Sequence, residues 1–126
     1  MSDRPRRTLR ALIVEDSVDD AELVELQLQR DGYRAPPQSA ATRAPLQAAL
    51  RPQPRAIIPS DHALPSFSAL DVLEILERRS THTPCIVVSG AIGEEAAVQL
   101  LKNGAVDYVN KSRLYMLGPA VERALR

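Results

Sequence analysis

The sequence has 126 residues, is 44% hydrophobic and 25% charged, and carries 16 basic and 16 acidic side chains, so its net charge is zero. This size and composition indicate one soluble globular domain. A chain without net positive charge gives no indication of a basic surface that would bind nucleic acids or anionic membranes. No apolar run reaches the roughly 18 residues of a membrane span. We therefore expect neither nucleic acid nor a membrane as a partner. The only cysteine, Cys85, excludes an intramolecular disulfide and favours a cytoplasmic location.

Strand-like and helix-like segments alternate along the chain after a polar, basic start. Residues 1–8 are predicted to form a flexible tail and residues 9–126 a single domain. Short apolar runs predict strands at 9–14, 33–40, 55–61, 85–88 and 106–109. Helical spacing of apolar residues predicts helices at 17–30, 42–50, 67–79 and 94–103, and a last helix after these. The side chains predicted to face inward are Ala21, Val24 and Leu28 in the first helix, Leu70, Leu73 and Leu76 in the third, and Leu114, Leu117, Val121 and Leu125 in the last. Asp19 and Asp20 fall in the first turn of the first helix, where carboxylates suit the helix dipole. The alternation of strands and helices predicts a doubly wound parallel sheet covered by helices on both faces.

Prolines modify two of the predicted strands, because proline donates no backbone hydrogen bond. Pro36 and Pro37 predict that the second strand is short and lies at an edge of the sheet. Pro59 lies two residues before Asp61 in the third strand, which should be central. We expect a bulge or a missing bond at Pro59, displacing Asp61.

Polar side chains follow four of the predicted strands. Glu15 and Asp16 follow the first, Asp61 the third, Ser89 the fourth and Lys111 the fifth. The carboxyl ends of parallel strands share one edge, so these groups should lie together, and their like charges call for a cation such as Mg²⁺. Such a group of side chains suits phosphoryl transfer to a carboxylate, with Asp61 as the nucleophile.

The chain from residue 9 to 126 resembles the response-regulator receiver domains of two-component signalling, including the chemotaxis receivers. Four segments carry the resemblance: Ile13-Val14-Glu15-Asp16, Ser60-Asp61 with Pro65 four residues on, Val88-Ser89-Gly90, and Asp107-Tyr108-Val109-Asn110-Lys111. The resemblance implies a flavodoxin-like fold with five helices around a five-stranded sheet of order 2-1-3-4-5.

For the metal site, the resemblance implies Mg²⁺ held by Asp16, Asp61 and the backbone carbonyl of Ala63, with Glu15 acting mainly through water. It also implies that Asp61 accepts a phosphoryl group from a sensor histidine kinase or a phosphotransfer protein. In this interpretation the protein is not an enzyme beyond catalysing its own phosphorylation and dephosphorylation.

For the response to phosphorylation, the resemblance implies that Lys111 contacts the phosphoryl group, that Ser89 follows it and that Tyr108 changes rotamer. The face formed by the fourth helix, fifth strand and fifth helix then changes its partners, and this face is also where a homodimer would form. We expect the negative charge of the phosphoryl group to shift this face between two conformations.

Three alternatives are considered at this stage, and the residues disfavour the second and the third. A degenerate receiver would have the same fold but act as an unphosphorylated protein-interaction module. A haloacid-dehalogenase-type hydrolase would need an acid two residues after its nucleophile, where this chain has Ala63. A flavin-binding flavodoxin would need a phosphate loop rich in hydroxyls and glycine after the first strand, and none is present there.

Overall fold

A computed structural model of the chain describes residues 7–34, 38–51, 55–64, 67–79, 82–90 and 92–126. Within these ranges the strands are β1 (Arg7–Thr8), β2 (Ile13–Val14), β3 (Tyr33–Arg34), β4 (Ser39–Ala40), β5 (Ile58–Ser60), β6 (Ala63–Leu64), β7 (Phe67–Ser68), β8 (Cys85–Ser89) and β9 (Asp107–Asn110). The helices are α1 (Val18–Arg30), α2 (Arg43–Leu50), α3 (Ala69–Arg78), α4 (Glu94–Lys102) and α5 (Leu117–Ala124), and a 3-10 segment, Lys111–Met116, precedes α5.

The main sheet has five parallel strands in the order β4-β2-β5-β8-β9. Numbered by the predicted strands, this order is 2-1-3-4-5, so the predicted doubly wound, flavodoxin-like fold is confirmed. Side chains alternate between the two faces of the sheet, as the geometry of a strand requires. In β8, Cys85 and Val87 join the hydrophobic cluster under α2, α3 and α4, whereas Ile86 and Val88 join the cluster under α1 and α5.

The amphipathic helices cover these two faces with the apolar side chains that the sequence predicts, apart from two positions. Val24 and Leu28 of α1 are buried, as are Leu73 and Leu76 of α3. The predictions that Leu70 and Leu125 face inward are wrong, because both lie at helix ends and remain exposed. At helix ends, spacing alone does not decide which side chains reach the sheet.

The second predicted strand is divided into β3 and β4, and β4 lies at the edge of the main sheet. This confirms the edge position that its prolines predicted, although Pro36 and Pro37 themselves lie outside the described residues. Gly32 precedes β3 with a φ of 94°, a left-handed conformation that glycine adopts without a steric penalty.

Two residues of the predicted flexible tail are ordered in a strand. Arg7 and Thr8 form β1, which pairs in parallel with Tyr33 and Arg34 of β3. The buried Tyr33 hydroxyl donates a hydrogen bond of 2.6 Å to Glu122 of α5. Arg7 donates to the Tyr33 hydroxyl at 3.0 Å and forms an ion pair with Glu122. Residues 7 and 8 are therefore ordered by these contacts, and the rest of the predicted tail lies outside the described residues.

Pro59 lies in the middle of β5, between two neighbouring strands, without a bulge. The register is constant along β5, from the pairing of Ala11 with Ile57 to the pairing of Val14 with Ser60. In the alternation of a parallel ladder, residue 59 would donate to the Leu12 carbonyl, and proline cannot do so. The next donor is in place, because the Asp61 N–H bonds the Val14 carbonyl at 2.9 Å. One ladder hydrogen bond is therefore missing at Pro59, as predicted, whereas the predicted displacement of Asp61 is wrong.

The caps of two helices provide a matched stability prediction. The Ser17 side chain accepts a hydrogen bond of 3.2 Å from the Asp20 N–H at the start of α1, whereas the Thr42 side chain makes no such bond at the start of α2. Ser17→Ala should lower the free energy of unfolding by about 1 kcal/mol, and Thr42→Ala should lower it by less than about half that. Urea unfolding followed by circular dichroism measures both, and equal losses would contradict the difference in capping.

Candidate functional site: an acidic cluster around Lys111

The parallel register of the sheet brings four predicted site residues to one edge. Glu15 directly follows β2, Asp61 directly follows β5, Ser89 ends β8, and Lys111 directly follows β9. Because the strands run in the same direction with aligned ends, side chains distant in sequence meet at this edge. In the structure these four residues therefore lie together at one edge of the sheet, where their positions at the strand ends predicted them.

Lys111 is the centre of this cluster. Its ammonium lies 2.8 Å from a Glu15 oxygen, 2.8 Å from an Asp20 oxygen and 3.3 Å from an Asp61 oxygen. Burial lowers the pKa of Lys111, but the hydrogen bonds to Asp20 and Glu15 outweigh burial and hold this pKa above its ordinary value. An ammonium has three N–H donors, so these three carboxylates match its full donor capacity.

Asp61 receives two further hydrogen bonds on its other oxygen. The Ser89 hydroxyl donates to Oδ1 at 2.8 Å, and the His62 backbone N–H donates to the same atom at 2.7 Å. Burial raises the pKa of Asp61, but interactions with Glu15, Ser89 and Lys111 outweigh burial and hold the pKa below its ordinary value. Asp61 is therefore an ionised carboxylate at neutral pH, as a nucleophile must be.

Three carboxylates form a group that could hold a cation. Single oxygens of Glu15, Asp16 and Asp61 all lie within 4.8 Å of one another. Burial, followed by the interaction with Asp61, raises the pKa of Glu15 to about 7. The Glu15 Oε2 atom is buried and has no hydrogen-bond partner among the described residues. Oxygen ligands suit Mg²⁺, and an unsatisfied buried carboxylate oxygen fits a hard cation beside it.

Tyr108 and Ala63 are the two remaining site residues that the resemblance implied. The Tyr108 hydroxyl donates a hydrogen bond of 2.7 Å to the Gly90 carbonyl, one residue after Ser89. The half-buried Tyr108 ring packs against the cluster under α2, α3 and α4. Ala63 lies two residues after Asp61, in β6, which pairs with β7 in a two-residue antiparallel ribbon. Tyr108 is thus linked to the chain that follows Ser89.

Asp20 is the contact residue that sequence reasoning missed. The sequence identified it only as an acid favoured by the dipole of the first helix. In the structure Asp20 lies in the first turn of α1, which begins just after the carboxyl end of β2. The Ser17 cap bonds the Asp20 N–H, and the Asp20 carboxylate reaches Lys111, 91 residues later.

Comparisons with known proteins agree with this geometry. The family model described as response regulator receiver domain matches residues 11–114. The response regulator protein PilR of Pseudomonas aeruginosa is 31% identical over 102 residues, which are 81% of this chain and 22% of PilR. The chain spans about a fifth of the length of the curated relatives it matches.

Two solved structures illustrate the likeness in fold. The signal receiver domain of a putative LuxO repressor protein from Vibrio parahaemolyticus is 28% identical with a TM-score of 0.73, and the match covers 94% of this chain and 92% of that one. The crystal structure of FixJ-N is 24% identical with a TM-score of 0.80, over 99% of this chain and 95% of that one. In the part of this chain that the structure describes, none of the helices combines the length and apolar character needed to cross a membrane.

Proposed function

Because this chain belongs to the response regulator receiver domain family, we propose that it accepts a phosphoryl group on Asp61 from a sensor histidine kinase or a phosphotransfer protein. The observation that carries the proposal is the surroundings of Asp61. One of its oxygens accepts from Ser89 at 2.8 Å, and the other lies 3.3 Å from Lys111. Such an acid is ionised, oriented and next to a cation, as phosphoryl acceptance requires.

The proposed reaction moves a phosphoryl group from a histidine nitrogen to an Asp61 oxygen. A new P–O bond forms as the P–N bond breaks, and the electron pair of the P–N bond stays on the leaving imidazole, which a proton from solvent can then neutralise. Negative charge spreads over the phosphoryl oxygens in the transition state, so positioning and charge neutralisation dominate catalysis. Lys111 and the Ser89 hydroxyl are the donors placed to meet these oxygens. The protein in this proposal catalyses only its own phosphorylation and dephosphorylation.

The acid cluster fits a Mg²⁺ requirement. We propose that Asp16, Asp61 and the Ala63 carbonyl hold the ion directly and that Glu15 holds it through water. When bound, Mg²⁺ supplies positive charge that neutralises the phosphoryl oxygens and the neighbouring acids. The support for this proposal is the approach of three carboxylates within 4.8 Å and the unpartnered Glu15 oxygen among the described residues.

The output that we propose is a change in a protein-interaction surface. Phosphorylation would draw Ser89 from the Asp61 carboxylate to the phosphoryl group and would free Tyr108 from the Gly90 carbonyl. The surface involved is the face of α4, β9 and α5, which could also join two copies of the chain. Two large apolar side chains of α4, Val98 and Leu101, are exposed. A cytoplasmic location goes with this proposal, since histidine-kinase output is delivered there.

The second candidate function is an unphosphorylated interaction module. The observation that favours it is Pro59, which removes one ladder bond beside the site. Against it, the register through β5 is constant and the Asp61 N–H keeps its bond to Val14 at 2.9 Å. The loss of one ladder hydrogen bond at Pro59 therefore does not extend to Asp61, the proposed phosphoacceptor.

Phosphoryl uptake from a small donor tests the two functions directly. The protein incubated with phosphoramidate and Mg²⁺ should gain the mass of one phosphoryl group in intact mass spectrometry, and Asp61→Asn should gain none. Ser60→Ala is a matched control next to the site, because the Ser60 hydroxyl donates to the Asp61 backbone carbonyl and not to its carboxylate. Absence of uptake by the native chain, or the same uptake by Asp61→Asn, would leave only the second function.

Mg²⁺ should also stabilise the folded protein, because only the folded state brings the three acids together. At millimolar Mg²⁺ we expect a rise in melting temperature of roughly 3–8 °C over the chelator-treated protein. Differential scanning fluorimetry measures the rise. It should be lost in Asp16→Asn and kept in Asp19→Asn, and an unchanged melting temperature in the native chain would argue against the metal site.

A further inference from the structure

The Lys111 ammonium makes two short contacts and one longer contact with its three carboxylates. It lies 2.8 Å from Glu15 and 2.8 Å from Asp20, but 3.3 Å from Asp61. The longest of the three contacts is thus the one to the proposed phosphoacceptor. Because the three carboxylates already match the three N–H donors, Lys111 can bond a phosphoryl oxygen fully only by weakening a contact that it has.

Asp20 is the partner that Lys111 can release at the least cost. The Asp20 side chain is 38% exposed, whereas that of Glu15 is 4% exposed. An exposed carboxylate regains water when its ion pair breaks, so such a pair contributes little to stability. A buried carboxylate that loses its partner keeps an uncompensated charge. Asp20 is also anchored through the backbone, because its N–H bonds the Ser17 cap at 3.2 Å, and the side chain can move while the helix stays in place.

We propose that Asp20 is a positioning residue that holds Lys111 away from Asp61 in the resting protein and thereby slows phosphoryl uptake. The inference rests on the proposed function, since it concerns the same lysine and the same acceptor. Asp20 also places a negative charge close to where the anionic phosphoryl group arrives. Both effects act in one direction, so removing the Asp20 charge should speed the reaction. A residue that merely supported Lys111 in a productive position would act in the opposite direction.

The rate of phosphoryl uptake from phosphoramidate in Mg²⁺ tests this inference. Asp20→Asn should raise the rate roughly two- to five-fold, the range expected from an exposed ion pair. Asp19→Asn removes the same charge from the neighbouring position of the same helical turn and should leave the rate within the error of the native chain. Asp20→Glu keeps the negative charge, so its rate of phosphoryl uptake should stay close to the slow native rate. The gain in Asp20→Asn should shrink as ionic strength rises, because salt screens exposed charges.

The outcomes separate this inference from the function on which it rests. Uptake by the native chain with an unchanged or slower Asp20→Asn variant overturns the role of Asp20 and leaves the proposed function in place. An equal acceleration in Asp19→Asn also overturns it, because the effect would then belong to net charge. If the native chain takes up no phosphoryl group, the proposed function fails and this inference fails with it.

Discussion

Lys111→Met is expected to slow phosphoryl uptake on Asp61 by about 10²–10³-fold, the usual effect of removing one donor that stabilises developing negative charge. Lys111 contributes the positive charge nearest to Asp61 among the described side chains, at 3.3 Å. Methionine preserves the length of the side chain and removes the charge and the three donors. The first-order rate at fixed phosphoramidate and Mg²⁺, followed by intact mass, measures the change.

Two further variants sharpen this result. Lys102→Met removes a lysine at the end of α4, away from the acid cluster, and should react at the native rate. Lys111→Arg keeps the charge but places its donors in a planar fork, which does not match three separate carboxylates, so its rate should be intermediate. A Lys111→Met rate within ten-fold of the native rate would show that this lysine does not neutralise the transferring group.

The free energy of unfolding should fall by roughly 2–4 kcal/mol as the pH rises from about 4.5 to about 7 in the presence of a chelator. The cause is Glu15, whose pKa rises from 4.5 to about 7 on folding, because burial disfavours its charged form and Asp61 lies beside it. Each unit of such a shift corresponds to about 1.4 kcal/mol. Between these values the folded state binds more protons than the unfolded state, so stability declines with rising pH.

The neighbouring acids act in the opposite direction and at lower pH. For Asp20, the hydrogen bond from Lys111 lowers the pKa on folding; for Asp61, burial raises the pKa but is outweighed by Glu15, Ser89 and Lys111. Their stabilising contribution is present above the unfolded value of 3.8 and is lost as the pH falls below it. The window from 4.5 to 7 therefore reports mainly on Glu15.

Urea unfolding at a series of pH values measures this dependence. Glu15→Gln keeps the shape of the side chain and cannot ionise, so its stability should be nearly constant across the window. Mg²⁺ should also reduce the decline in the native chain, since it binds the ionised acids. If Glu15→Gln loses stability with pH as steeply as the native chain, a different group is responsible.

Most of the fold follows from features that are local in the sequence. Short apolar runs such as Cys85 to Val88 are buried on both faces, and helical spacing identifies Val24 and Leu28 as inward-facing. The alternation of these segments predicts a parallel sheet, and right-handed crossovers restrict it to a few arrangements. The particular order 2-1-3-4-5 came from the resemblance to receiver domains. The same topology brings Asp61, Ser89 and Lys111 to one edge, so these members of the site could be predicted from strand ends alone.

What the sequence could not provide were contacts between distant side chains. Asp20 and Lys111 are 91 positions apart in the chain, and no local pattern encodes a contact over that separation. The strand at Arg7 and Thr8 forms by pairing with Tyr33 and Arg34, and the strand propensity of residues 7 and 8 alone does not predict that pairing. At Pro59 the local rule correctly predicted a lost bond, but the neighbouring strands keep the register and hold Asp61 in position.

The contacts of Tyr33 have a consequence for the protein during its synthesis. Arg7 and Glu122, which both contact the Tyr33 hydroxyl, are 115 positions apart in the chain. At about 5–20 residues per second, the ribosome adds Glu122 several seconds or more after Arg7. Until α5 has left the ribosome, the Tyr33 hydroxyl has no Glu122 to bond and the first strand lacks its ion pair. The pairing of β1 with β3 can therefore form early in synthesis, whereas the side-chain contacts that join this pair to α5 form only after Glu122 has been added.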